Sequence, residues 1–590
     1  MYKGLTELKQ SIDRWRDPDL TPAERENLLE LLQTQAQAMD LTGLQKDVPA
    51  QAIGEWVQQL TAQLLELEYA LIPHGLHVMG RAPSAEERTS TLKAMAQAMG
   101  IEREGLIEAI VAQGAQWEAL MPKDLDDAQR KALRQLVQSN ELLQQEHEIV
   151  GLLRALDGRY IAPAAGGDLL RNPQVLPTGR NVHGLDPFRM PSNFAVMDGR
   201  KQAQKLLDRC QADGLPLPET IAMVLWGTDN LKSEGGPMAQ ALALMGAKPR
   251  FDNYGRLAGA ALIPLAELGR PRIDVVITLS GIFRDLLPMQ IRLLAEASLL
   301  AASAEEAEDQ NFVRKHTLAY MREHGVDLNT AALRVFGNAE GAYGANVNHL
   351  VDSSCWEKED ELGDAFVQRK GFAYGVEGQP VRHQALMQSV LSTVALTYQN
   401  VDSVELGVTS IDTYFDTLGG FSRAVLQAKH HTQGAAATAP GVYIGDQTQG
   451  EGVVRTLGEQ VALETRTRML NPKWHESMLQ HGFEGVRQIE SHLTNTMGWS
   501  ATTGQIQPWV YQQLAQTFIL DPDMRERMAK LNPSASAQFA NRLLEASRRN
   551  FWQPDTQTLA ALQQAGRSEE HTSELQSHLN LVCRLLLEKK

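Results

Sequence analysis

Cysteine is nearly absent from this 590-residue chain: Cys210, Cys355 and Cys583 are its three, with no CxxC pairing, which excludes a disulfide framework and gives no structural zinc pattern. Long apolar runs are missing too. No stretch approaches the ~20 consecutive apolar residues that cross a bilayer, and the opening MYKGLTELKQSIDRW has no signal-peptide hydrophobic region. The expectation is a soluble, cytoplasmic protein of a reducing compartment, with any membrane contact peripheral. Basic charge is in deficit. The 56 Lys and Arg stand against 72 Asp and Glu, a net charge of −16, which argues against a nucleic-acid surface. No GxxxxGK[ST] occurs, and GGPMAQALALMGAK has neither the spacing nor a Ser or Thr after its Lys, so no ATP-hydrolysing loop is evident.

What is present is enough apolar material, 43%, for several packed domains. The fold class expected is α/β plus all-helical sections, multidomain, with parallel βα units and a helical N-terminal region. Residues 1–155 read as helical. Thr21 to Glu24 form a capping box with Pro22 at the first helical position, Ser84 and Glu87 repeat the device, and a further helix is predicted over about Asp126 to Leu156. Residues 156–309 read as α/β. ETIAMVLWG and RIDVVITLSG are buried strands, each followed by a helix, over about Pro237–Met245 and Leu286–Leu300. Ligands of such sheets sit beyond the carboxyl ends of the strands, which singles out Asp229 in WGTDN and Asp285 in SGIFRD. Residues 310–430 read as helix-rich with polar Gly-rich loops, 431–441 as a linker, and 442–566 as a helical C-terminal region.

Three segments concentrate chemistry. LPTGRNVHGLDPFRMPS, Leu176 to Ser192, packs helix breakers, cations, His183 and Asp186 into one irregular loop. AEGAYGANVNHL offers Glu340, Tyr343, Asn346, Asn348 and His349 around two glycines. IDTYFDTLGGF places Tyr414 and Asp416 before Gly419 and Gly420. Each has a bland reading beside the functional one: Arg180 and Asp186 pinning their own loop, His349 on a solvated connection, Asp416 a helix cap or loop staple. The acidic runs Glu305–Asp309 and Glu357–Glu361 read as solvated helix faces.

The loop Leu176–Ser192 resembles the signature loop of the magnesium chelatase large subunit family, cousin to the cobalt-inserting chelatases. ETIAMVLWGTDNLKSEGG, ELGRPRIDVVITLSGIFRDLLPMQI, QNFVRKH, NPKWHESMLQHGFEGVRQIE and NTMGWSATTGQI are similar to further segments of that family, in its order, from about Tyr2 to about Gly566. The resemblance implies the carboxy-terminal half of a porphyrin-binding subunit, lacking the half that holds the family's best supported catalytic carboxylate. It implies protoporphyrin IX as substrate, Mg2+ as the metal inserted in chlorophyll and bacteriochlorophyll synthesis, and ATP hydrolysed by a separate AAA-type ATPase subunit alongside a second partner subunit.

On that resemblance Asp416 and Tyr414 become the catalytic candidates, Asp416 and Glu340 the magnesium candidates, and Arg180, His183, Asp186, Asp229, Glu340 and His349 the ring-binding candidates. Oxygen ligands suit a hard cation that keeps several waters. The resemblance departs at Thr413, where the family often has His, which bears on acid or base chemistry at the neighbouring position. A cobaltochelatase acting on a corrin-type ring, or a truncated porphyrin-binding protein without turnover, are the alternatives. The tail RSEEHTSELQSHLNLVCRLLLEKK, 567–590, has no counterpart in the family, and its first dozen residues back-translate into a common sequencing adapter. A non-native tail is therefore expected, against an amphipathic helix as the alternative.

Overall fold

The computed structural model describes residues 3–565 except 16–21, 39–40, 42–52, 71–77, 100, 102, 104, 115, 118–125, 165–168, 170–172, 183–185, 402, 404, 435 and 449–451. Thr21, His183 and the tail 567–590 lie outside the described residues.

The N-terminal region is helical. Helices α1 (Lys3–Trp15), α2 (Pro22–Ala38) and α3 (Ile53–Ala70) enclose Leu8, Leu32 and Leu60, and Leu463 packs against this cluster from the C-terminal region. Helices α4 (Ala85–Ala98), α5 (Leu106–Gln113) and α6 (Asp127–Leu143) form a second small core around Leu92, Met95, Ile110 and Leu136. Ser84 and Glu87 close the predicted reciprocal capping box at α4, and Asp126 and Gln129 build another at α6. The helix predicted through Leu156 breaks after Leu143. The Glu146 side chain accepts the Ile149 N–H at 2.6 Å, which starts a separate helix, α7 (Glu148–Leu156).

Between α7 and the central sheet runs the Leu176–Ser192 loop. Gly151 of α7 meets Gly179 backbone to backbone: a Cβ on either would overlap the other segment's carbonyl oxygen, at Gly179 or at His147. Gly179 also sits at φ 73°, where L side chains are strained.

An eight-stranded sheet organises the rest. In chain order its strands are β1 (Thr220–Leu225), β2 (Asp274–Leu279), β3 (Val335–Gly337), β4 (Phe372–Tyr374), β5 (Pro380–Arg382), β6 (Leu396–Val401), β7 (Gly441–Asp446) and β8 (Val453–Thr456). Their spatial order is β8-β7-β6-β1-β2-β3-β4-β5. The five inner strands β7, β6, β1, β2 and β3 are parallel neighbours, whereas β8, β4 and β5 join antiparallel. Every residue of β1 and β2 is buried. Ile221, Met223 and Leu225 enter one apolar cluster while Ala222 and Val224 enter the other, so both faces are covered and the strands read as continuous apolar runs.

Two sections hold more strand than their sequences suggested. Residues 310–430 contain β3 to β6, and β7 and β8 open 442–566. β4 and β5 have three residues each, too few to show a period. β6 alternates apolar groups with Thr397, Gln399 and Asn400, buried because each finds a polar partner: Ser422, Trp226 and Tyr398 respectively. The helix expected over Leu286–Leu300 is two helices, Gly281–Leu286 and Pro288–Ser303, parted at Leu287.

At the amino ends of the strands lies a buried ionic cluster. The Asp274 carboxylate accepts from Arg334 Nε at 2.8 Å and lies 3.0 Å from His316 Nδ1, whose Nε2 is 3.3 Å from Glu219. Arg334 also donates to the Ala331 and Leu333 carbonyls and to Thr317.

Candidate functional site

The carboxyl ends of the parallel strands carry a continuous rim of loops. The chain goes from β1 outward to β2 and β3, then returns to β6 on the other side of β1, so the strand order reverses between β1 and β6. That reversal opens the crevice where ligands of such sheets sit. Half-buried Trp226 stands there at the end of β1, its indole N–H donating to Gln399 of β6 at 3.1 Å and its ring 5.1 Å from that of Tyr414.

Each loop of the rim is fastened to the next. Met190 and Pro191 of the Leu176–Ser192 loop pack on Gly235, the Ser192 N–H donates to Glu234, and Gln290 Nε2 donates to the Pro187 and Met190 carbonyls. The Gly227 N–H donates to the Ser280 hydroxyl at 2.9 Å, Ile282 packs on Gly227, and Gly281 lies against the Tyr343 ring. Arg284 donates to the Ala339 and Ala342 carbonyls and to Asp285, which accepts the Tyr343 hydroxyl at 2.6 Å. Arg369 donates to the Tyr343 carbonyl.

Asp416 completes the chain of contacts. Gly341, Gly344 and Asn346 all adopt positive φ, and this alternation turns the N–H groups of Ala345, Val347 and Asn348 toward one point, an anion-binding nest. The Asp416 carboxylate fills it, accepting at 2.7, 2.8 and 3.1 Å. Its side chain is fully buried within a π-helical turn, Phe415–Gly419. Burial pushes this carboxyl above its ordinary range, opposed by the backbone N–H donors and by the Lys370 charge. Lys370, itself buried, donates to the Leu279 carbonyl at the end of β2, and burial pushes its ammonium down to about 8.

A second loop is held in the same manner. Glu464 accepts from the Val408 and Thr409 N–H groups and the Thr409 hydroxyl, while Trp499 and Asn495 donate to the Val408 and Thr409 carbonyls. Between the two fastened loops and the helix Phe483–Thr503 is a cleft of about 390 Å³ lined by His349, Asp352, Asp412, Phe415, Arg487 and Glu490, among others. Asp412 accepts from Asn348 Nδ2 at 2.6 Å. Burial pushes the Glu490 carboxyl up.

Set against the candidates from sequence, the rim sets Tyr414 against Trp226, Asp416 on the 338–348 loop and the Leu176–Ser192 loop on Gly235. Asp416, expected as a catalytic and magnesium carboxylate, points into protein backbone and not into the cleft. Tyr414 is buried against Trp226. Asp229 is buried in the first turn after β1. Arg180 donates to the Pro177 and Leu176 carbonyls of its own loop, and exposed Asp186 caps the following turn through the Phe188 N–H. Glu340 and His349 are exposed, His349 at the cleft. Among the described residues no three His, Cys, Asp or Glu side chains stand close enough to hold a metal ion.

Trp226, Lys370, Asp412 and Glu464 were missed. Asp412 was legible in principle, four residues before Asp416 in the same motif. Thr413 is exposed.

Fold and rim define an α/β protein with a crevice at a strand-order reversal. Residues 1–144 and 119–559 match the family model described as CobN/Magnesium Chelatase, and the chain belongs to that family. It is 55% identical over 575 residues to the H-type magnesium-chelatase subunit of Rhodobacter capsulatus, an alignment covering 97% of this chain and 44% of the relative. It is 36% identical to the chloroplastic magnesium-chelatase subunit ChlH of Oryza sativa subsp. indica, over 96% of this chain and 46% of that one. Among solved structures, the catalytic subunit of cobaltochelatase from Mycobacterium tuberculosis superposes with a TM-score of 0.81 at 30% identity, covering 97% of this chain and 52% of the other. The chain thus spans less than half the length of these magnesium-chelatase relatives. No helix among the described residues is long and apolar enough to cross a membrane.

Proposed function

We propose that this chain is the porphyrin-holding part of a magnesium chelatase, presenting protoporphyrin IX for insertion of Mg2+ while an AAA-type ATPase subunit and a second subunit supply the ATP-driven work. The observation that carries this reading is the 55% identity to the Rhodobacter capsulatus magnesium-chelatase subunit across 97% of the chain. The half-buried Trp226 ring at the strand reversal, backed by Tyr414, suits a flat aromatic ligand. Insertion removes two pyrrole N–H protons and strips water from a hard cation, tasks for carboxylates. Of the carboxylates in the DTYFD motif, Asp412 faces the cleft and Asp416 shapes its wall, so Asp412 is the candidate for guiding the cation or accepting a proton.

Fluorescence titration of the chain with protoporphyrin IX should show saturable binding. Completed with the rest of the relative's polypeptide and its partner subunits, it should insert magnesium. Asp412→Asn should then lower the insertion rate about ten-fold or more with unchanged porphyrin affinity, the pattern of a lost acid–base group. Cobalt insertion into a corrin-type ring without magnesium activity overturns the assignment. A second reading is porphyrin binding without turnover; binding with no insertion under any completion selects it.

A further inference from the structure

Helix α7 is apolar on nearly every side yet buries little besides Gly151. Leu153 is 59% exposed, Leu156 76% and Tyr160, just beyond the helix, 81%, with Val150 and Leu152 also exposed. Exposed Met79 continues the surface, because the adjoining Gly80 donates its N–H to Glu148 and packs on Ile149. None of the apolar clusters among the described residues includes a residue of α7. The helix is nevertheless fixed in place, since Gly151 is seated on Gly179 of the Leu176–Ser192 loop. Contiguous apolar surface of this kind is rare on proteins that act alone and marks contact sites.

We propose that the outer face of α7 is the contact surface for the part of the family's longer polypeptide that lies outside the matched region. The length of the relatives argues for this occupant: the chain accounts for 44% of the Rhodobacter capsulatus protein, so more than half of that polypeptide remains to be packed against it. Position argues the same way. Through Gly151 and Gly179 the patch adjoins the Leu176–Ser192 loop, whose far end packs on Gly235 at the rim. Charge argues against a membrane. Arg154 and Arg159 are offset by Glu148 and Asp157, with Arg159 and Asp157 paired at 2.6 Å, whereas helices that lie on anionic lipid carry basic polar faces. The inference rests on family membership and not on the ring chemistry, and its test involves no porphyrin.

The test is co-expression of the full chain with an affinity-tagged polypeptide comprising the unmatched part of the Rhodobacter capsulatus protein. Equimolar co-purification is expected, and the double variant Leu153→Asp, Leu156→Asp should weaken association about thirty-fold or more, as loss of a central apolar anchor does. Leu217→Asp, at a separate cleft beside Cys210 and Arg270, should change nothing. Replacing Tyr160 by a photoreactive phenylalanine should crosslink to the tagged polypeptide, a readout that stands even if the double variant unfolds. Absence of co-purification overturns the proposal. So does equal capture of a folded double variant, a crosslink only to a second copy of this chain, or α7-dependent binding to phosphatidylcholine–phosphatidylglycerol vesicles.

Discussion

Arg334→Met should destabilise the chain by about 3–5 kcal/mol, because it leaves the Asp274 carboxylate fully buried without its cationic partner. Denaturant unfolding at pH 7 measures this as a lower midpoint. Desolvation alone would raise the Asp274 pKa, but the Arg334 charge and His316 together bring it below the ordinary value. A carboxyl lowered in the folded state contributes stability above its unfolded pKa of about 3.9, and that contribution is lost as pH falls through the folded value. The wild-type chain should therefore lose stability steadily on acidification below about pH 5, and Arg334→Met should lose much less over the same range. Equal slopes would mean that Asp274 does not depend on Arg334 for its charge.

Asp416→Ala is expected to be comparably severe. It orphans the N–H groups of Ala345 and Val347, both buried, and each unsatisfied buried donor costs about 1–3 kcal/mol. Asp416→Asn should fall between. Its one oxygen can serve Val347 and Asn348, but its amide N–H then opposes the N–H of Ala345. A lone helix cap would tolerate Asn, since Asp and Asn cap equally well. Hydrogen exchange at residues 344–349 tests the difference: faster exchange confined to that loop in Asp416→Asn supports the staple, and wild-type protection there argues against it.

These two sites also show what the sequence could and could not reveal. β1 and β2 were legible because burial on both faces leaves uninterrupted apolar runs, and the rim positions of Asp229 and Asp285 followed from strand direction alone. β6 was not, because its Thr397, Gln399 and Asn400 look like surface residues until their partners are known. Asp416 stood out by its motif, yet its role depends on N–H groups 68 to 71 residues earlier, turned inward by the positive φ of Gly344 and Asn346. No local pattern encodes that meeting. Arg180 and Asp186 were read with two roles open, and their described partners lie within four residues of each, a scale on which sequence can suggest a turn but not choose the partner.

The fastening of the 338–348 loop by Arg284 on one side and Asp416 on the other has a kinetic meaning. Ordering a mobile binding loop costs about 0.5–1.5 kcal/mol for each long side chain stilled, and a wall set before the ligand arrives is spared that cost. A ligand meeting such a surface docks onto a finished mould. On the proposed porphyrin-holding function, ring compounds of different outline should then arrive at similar speeds and differ chiefly in how long they stay.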